Sequence, residues 1–279
     1  MSRLPLALLA LVIAGAARAD TTPSAPSVAD QQAGAKTDAT AGAIPPGDAA
    51  LASEYDSLSS AFNKAQSDYF EPYTKAKTDD EREKIHLDPA LQPTKLYVPK
   101  FEDLAQRADG TEVGLNCCLW IVKHSNGGKS KELSNAIDAL SNRYIQSPKL
   151  VEFASYLRYG SWSLGQELAQ HTLNHLIEAS PHDAVRAQAT CSLAYALLDD
   201  SSGDSAAART RAHELFVKVQ HDYPDSKAAK QAEGGLFELD HLQIGMSVPE
   251  IEGTDVDGAP FKLSDYRGKV IVLDFWGNW

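Results

Sequence analysis

The feature that most constrains this chain is an apolar rhythm that keeps to the helical period from Tyr97 to His241 with no strand signal inside it. Apolar residues at that period share one face of a helix, so such a chain must bury helix stripes against other helices. One spacing recurs within the rhythm: Ala136-x3-Leu140-x7-Pro148, Ala169-x3-Leu173-x7-Pro181 and Ala212-x3-Phe216-x7-Pro224. A small residue lets helices approach, a large one fills the groove between ridges, and proline stops the helix. The first two copies lie 33 residues apart and the next 43, the excess falling in the loop Asp199-Asp-Ser-Ser-Gly-Asp-Ser205. The pattern predicts stacked helical hairpins. His182–Leu198 and Ser226–Leu239 are then the first helices of successive hairpins, with Ala184, Ala187, Cys191 and Ala194 facing the stack.

The spacing resembles the second helix of a tetratricopeptide repeat, whose period is ~34 residues. The Trp and Leu-Gly of that repeat's first helix are absent or displaced, so the expectation is tetratricopeptide-like hairpins rather than the repeat itself. Upstream, Leu51, Tyr55, Leu58, Phe62, Ala65 and Tyr69 fall at steps of four and three, which predicts an amphipathic helix. Pro72 is expected to end or kink it. The charged run Lys75–Lys84 reads as a solvated helical face, and His86–Pro99, with prolines at 89, 93 and 99, as an irregular connection.

Two further segments precede the helices. Met1-Ser-Arg3, the apolar run Leu4–Gly15 and the small-x-small site Ala17-Arg-Ala19 have the form of a secretory signal, residues 1–19. Its apolar run is short for a bilayer span, so no stable membrane span is expected after cleavage. Residues 20–49 are rich in Ala, Thr, Ser, Pro, Gly and Asp and read as a disordered linker. The helical domain is placed at 50–241 and a second, incomplete domain at 242–279. A net charge of -12 argues against nucleic-acid binding, which depends on neutralising phosphates with Lys and Arg. Three cysteines are too few for a disulfide scaffold, so the fold must rest on packing.

The pattern changes after Leu242. Ile251–Val256 reads as a short strand, Asp257-Gly258 as a turn, and Pro260-Phe-Lys-Leu263 as the returning strand of a hairpin. Ser264-Asp-Tyr-Arg-Gly268-Lys269 is a second turn, and Val270–Phe275 is apolar enough for a strand buried on both faces. Pro249-Glu-Ile, Asp257-Gly258, Phe261-Lys-Leu-Ser264-Asp-Tyr-Arg-Gly268-Lys269 and Val270–Trp279 resemble the opening of thioredoxin-like redoxin domains, in particular thiol-disulfide oxidoreductases of the TlpA and ResA type. In that family the strand ends in Phe-Trp-x-x-Trp, here Phe275-Trp276-Gly-Asn-Trp279, and the first cysteine of Cys-x-x-Cys comes next.

The resemblance implies a mainly α chain in which tetratricopeptide-like hairpins lead into the first strands of a truncated thioredoxin-like α/β domain. It implies that the catalytic cysteines, a cis-proline and most of the sheet fall after Trp279. Trp276, Gly277, Asn278 and Trp279 would then flank the active site, Trp279 shielding the thiolate and Trp276 packing beneath. The family more often carries Ala-Thr or Ala-Ser where this chain has Gly277-Asn278. The implied activity is exported thiol-disulfide exchange, in the periplasm or outside the cell, on a protein disulfide or thiol. No cofactor or metal is implied. Peroxide reduction, as in the alkyl hydroperoxide reductase and thiol-specific antioxidant proteins, is the variant within the same fold, although those usually lack Trp-x-x-Trp. A different reading makes the helical repeats a binding module for a partner protein, without catalysis.

Other candidates are weaker. Cys117-Cys118 sits in the apolar run Val113–Val122, where cysteine behaves as a small hydrophobe. Adjacent residues on a helix point in different directions, so the pair lacks the geometry of Cys-x-x-Cys. The same burial is expected of Cys191. His171 and His175 are one helical turn apart, but no third metal ligand is indicated.

Overall fold

In a computed structural model, residues 44–125, 130–199 and 205–274 are described. The expected signal segment 1–19 and most of the expected linker lie outside them, as do Phe275, Trp276, Gly277, Asn278 and Trp279. The chain is mainly α, with ten α-helices and a short two-stranded antiparallel sheet near its C-terminus among the described residues. None of these helices is long and apolar enough to cross a membrane. Two compact units divide the chain: one comprises Ala39–Asp240, and the described part of the other runs from His241.

The helical unit begins with α1, Ala49–Lys75, capped by Asp48, whose carboxylate accepts from Ala50 N at 2.8 Å. The stripe Leu51, Tyr55, Leu58, Phe62, Ala65 and Tyr69 is the half-buried or buried face of this helix. Pro72 does not end it. The helix continues to Lys75, because a proline in the last turn removes one hydrogen bond where few remain to be made. Ahead of α1, residues 44–48 of the expected linker are held in place: Pro45 O accepts from Glu112 N at 2.7 Å. Thr78 and Glu81 form a capping box around the short exposed helix α2, Asp79–Glu83.

The connection expected at His86–Pro99 is shorter than the prolines suggested. After a single 3-10 turn at Pro89–Leu91, α3 runs from Pro93 to Arg107 with Pro99 inside it. Pro93 takes the first helical position, where its missing N–H costs nothing. Pro99 and Lys95 are both exposed, so the carbonyl left without its N–H faces water. Next come α4, Glu112–His124, and α5, Lys131–Asp138, which runs on as a π-turn over Ala139–Arg143. The π-turn closes with Tyr144 N donating to Ala139 O at 3.0 Å. Then follow α6, Leu150–Leu164, α7, Gln166–Ala179, α8, Asp183–Leu198, α9, Ser205–Asp222, and α10, Lys227–His241.

Two helices are buried nearly all round. In α4 the buried residues run from Val113 to Ile121 with the exception of Asn116, and in α8 they run from Ala187 to Ala194 without a break. A helix with no polar face must lie in the interior. Accordingly α4 packs on α1, α3, α5 and α6, and α8 packs on α6, α7 and α9. Successive helices α6 to α9 pack in sequence order, and α6 also meets α8 directly. The small and large residues of the recurring spacing are all interior: Ala136 and Leu140, Ala169 and Leu173, Ala212 and Phe216. The three prolines sit in the connections that follow. Ser147 and Ser180, each just before its proline, are buried, and their hydroxyls accept from Lys149 N at 3.2 Å and His182 N at 3.4 Å. Two connections thus share one side-chain turn as well as one spacing. In α8, Ala187, Cys191 and Ala194 are buried, but Ala184 is exposed, since in the first turn it is Val185 that faces the interior.

The second unit has a different character. β1, Glu252–Thr254, pairs antiparallel with β2, Pro260–Lys262, in the register Glu252↔Lys262, Gly253↔Phe261, Thr254↔Pro260. Asp255 organises the turn between them, its carboxylate accepting from Asp257 N at 3.0 Å and Ala259 N at 2.9 Å. Gly258 takes a φ of 83°, which only glycine adopts without strain. A 3-10 turn, Leu263–Tyr266, follows. The strand expected at Val270–Phe275 does not form over its described part, Val270–Asp274, because a strand exists only as part of a ladder and this segment pairs with neither β1 nor β2. No described residue from His241 to Asp274 is buried.

Candidate functional site

The site indicated by the sequence is the approach to Trp276. The turn before it is fastened at Glu250, which stands in the Pro249-Glu-Ile segment. The Glu250 carboxylate accepts from Ser264 N at 2.9 Å, and the Ser264 hydroxyl and N–H together hold its carboxyl below the usual carboxylate range. Leu263 N donates to Ile251 O at 2.9 Å, and Lys262 N to the Asp265 carboxylate at 3.0 Å. Lys262 pairs across the hairpin with Glu252. These bonds fold Ser264–Lys269 back beside Pro249 and Glu250. They leave an open groove of about 490 Å3, walled by Val248, Pro249, Leu263, Tyr266, Ile271 and Leu273.

Along Val270–Asp274 exposure alternates. Val270 and Val272 face solvent at 81% and 62%, while Ile271 and Leu273 are half-buried in the groove. Side chains that alternate between faces are the mark of an extended segment, so this one is laid out like a strand although it carries no ladder. Of the four residues expected to flank an active site, Trp276, Gly277, Asn278 and Trp279, all lie outside the described residues. What the structure shows is the segment that leads to them.

The cysteines present are of another kind. Cys117, Cys118 and Cys191 are free thiols buried in helices, at 0%, 5% and 0% exposure. Burial pushes the thiols of Cys118 and Cys191 up to about 12, and that of Cys117 well above the ordinary range. A thiol is nucleophilic as its thiolate, so these three are chemically quiet. His171 and His175 come together on α7 beside the π-turn, but His175 Nε2 is engaged with Ser141 O at 3.0 Å. Among the described residues no group of three or more His, Cys, Asp and Glu is placed to hold a metal.

Sequence reasoning did not find a second cavity, of about 810 Å3, in the helical unit. Its walls come from α3 and α5 and its floor from α4, with Glu102, Glu132 and Asp138 among the lining. Glu102 stands 30 residues before Glu132 in the chain, and the one legible signal of these carboxylates was their position beside apolar residues at helical spacing.

No family model and no solved structure matches the chain. Short stretches are similar to curated thiol-disulfide oxidoreductases. The chain is 47% identical over 38 residues to the thiol-disulfide oxidoreductase ResA of Geobacillus kaustophilus (strain HTA426), covering 14% of this chain and 22% of the relative. It is 36% identical over 47 residues to the thiol-disulfide oxidoreductase ResA of Bacillus thuringiensis (strain Al Hakam), covering 17% of this chain and 27% of the relative. The chain thus spans about a quarter or less of the length of these relatives. The similarity is partial, and it touches a thiol-disulfide oxidoreductase over that short stretch alone.

Proposed function

We propose that the intact protein is an exported thiol-disulfide oxidoreductase in which a helical domain precedes a thioredoxin-like domain. The observation that carries this is the short similarity to two ResA proteins. The stretch from Leu242 to Trp279 bears the sequence resemblance. The hairpin, the turn fastened by Glu250 and the extended segment leading to Trp276 support the same reading.

In this reading a Cys-x-x-Cys follows Trp279. The first thiolate attacks a substrate disulfide, forms a mixed disulfide and expels one substrate thiolate. The second cysteine attacks that mixed disulfide, releases the remaining substrate thiol and leaves the enzyme oxidised. Two electrons pass to the substrate, and an external dithiol restores the enzyme. Trp279 would shield the thiolate from water, with Trp276 packing beneath.

The test is insulin reduction by dithiothreitol, catalysed by the protein extended past Trp279. Catalysis lost on replacing either new cysteine by serine is the expected result. Peroxide consumption without insulin reduction would assign a peroxidase of the same fold. The second reading, a partner-binding helical module without catalysis, gains from the open cavity in the helical unit and predicts no thiol-dependent activity at all.

A further inference from the structure

The cavity between α3, α4 and α5 is elongated by construction. Glu102, Ala105 and Gln106 on α3, with Asp109 just beyond its end, repeat the spacing of Glu132, Asn135, Ala136 and Ala139 on α5 and its π-turn. Residues at i, i+3, i+4 and i+7 form a single stripe, so two parallel stripes face each other across a trough roughly 10 Å long. The floor is apolar. Cys118 and Ile121 of α4 lie there beside Ala136, and the Cys118 thiol, 5% exposed, takes part in no hydrogen bond among the described residues.

The rim is acidic, and its charge is only partly paired. Asp109 is paired with Arg143. Glu102, Glu132 and Asp138 form no ion pair among the described residues: Asn135 donates to Glu102 at 2.7 Å, and Asn142 to Asp138 at 2.9 Å. Hydrogen bonds from its own backbone N–H and the Ser130 side chain hold the Glu132 carboxyl below the usual carboxylate range. Glu102 and Glu132 are moreover half-buried, where an opposite charge is screened less by water and salt than at a fully exposed site. A partner that brings a cation to this rim gains charge-assisted hydrogen bonds there.

We infer that this trough docks an amphipathic segment of a partner protein, its apolar side chain on the Cys118–Ile121 floor and a Lys or Arg between Glu102 and Glu132. The assignment rests on the reading of the helical unit as a partner-binding module and is independent of the redox chemistry, since insulin reduction does not use the trough.

The test uses the full chain and a fluorescein-labelled peptide of repeated Ala-Leu-Lys, followed by anisotropy. Saturable binding is expected. It should weaken about tenfold in a Glu102→Gln, Glu132→Gln double variant, because two charge-assisted contacts become neutral ones. Ala139→Trp, which fills the trough and leaves the carboxylates in place, should abolish binding, and circular dichroism of both variants keeps folding separate from docking. No saturable binding, equal binding of an Ala-Leu-Glu peptide, or binding unchanged in either variant would overturn the docking site. Equal competition by spermine, a cation without apolar side chains, would overturn the peptide as occupant.

Discussion

Two neighbouring glycines show how far single-residue packing decides the outcome. A Cβ on Gly235 would lie 2.5 Å from the Phe216 ring, whereas one on Gly234 meets nothing within 4 Å. Gly235→Ala should therefore lower stability by about 1–2 kcal/mol, overpacking outweighing the gain in helix propensity. Gly234→Ala should raise it by about 0.5–1 kcal/mol. Urea melts of both variants read the two signs, and equal signs would refute the packing of α10 on α9. Tyr144 has a comparable role: its hydroxyl accepts from Gly110 N at 3.0 Å, so Tyr144→Phe should cost about 1–2 kcal/mol by stranding that N–H. The buried cysteines were legible in the sequence because an apolar run left them no other role. In the native protein, Ellman's reagent should label Cys117 and Cys191, at 0% exposure, only at the rate of unfolding.

Among the elements, those set by periodicity were readable and those set by proline or by pairing were not. The stripe on α1 and the interior positions of α5, α7 and α9 followed from spacing, because a helix repeats its own geometry. α1 runs past Pro72 because the proline falls in the last turn, and the connection expected at His86–Pro99 is shortened because α3 carries Pro99 on an exposed face. The hairpin β1–β2 was announced by Asp257-Gly258, whereas Val270–Asp274 shows that an apolar run does not make a strand without a partner. The carboxylates of the trough were illegible because helix packing alone brings α3 and α5 together. One consequence concerns pH. The lowered carboxyl of Glu250 contributes to the fastened turn only while ionised, so that contribution is present above its unfolded value of about 4.3 and is lost as pH falls through its lower folded value. The Ser264 amide should shift in NMR spectra across that range, and Glu250→Gln should remove the shift.

At the scale of the molecule, the two units differ in how they are held. The helical unit has an interior that runs from Phe62 to Leu239, while no described residue of the second unit is buried. Protection of backbone amides tracks burial and cooperativity. Amides of α4 and α8 should therefore exchange by global unfolding, and those of β1, β2 and Val270–Asp274 far faster. Slow exchange over Val270–Asp274, equal to the helices, would mean that the segment is paired in solution. The same contrast bears on the proposed function, in which a packed helical unit is followed by a stretch proposed to open a redoxin domain with its cysteines after Trp279. The direct measurement is to read the coding sequence onward from Trp279. The account predicts a cysteine as the next residue and a second cysteine after two more. A stop codon at that point, or continued sequence without the pair, would contradict it and leave the helical unit as the functional part.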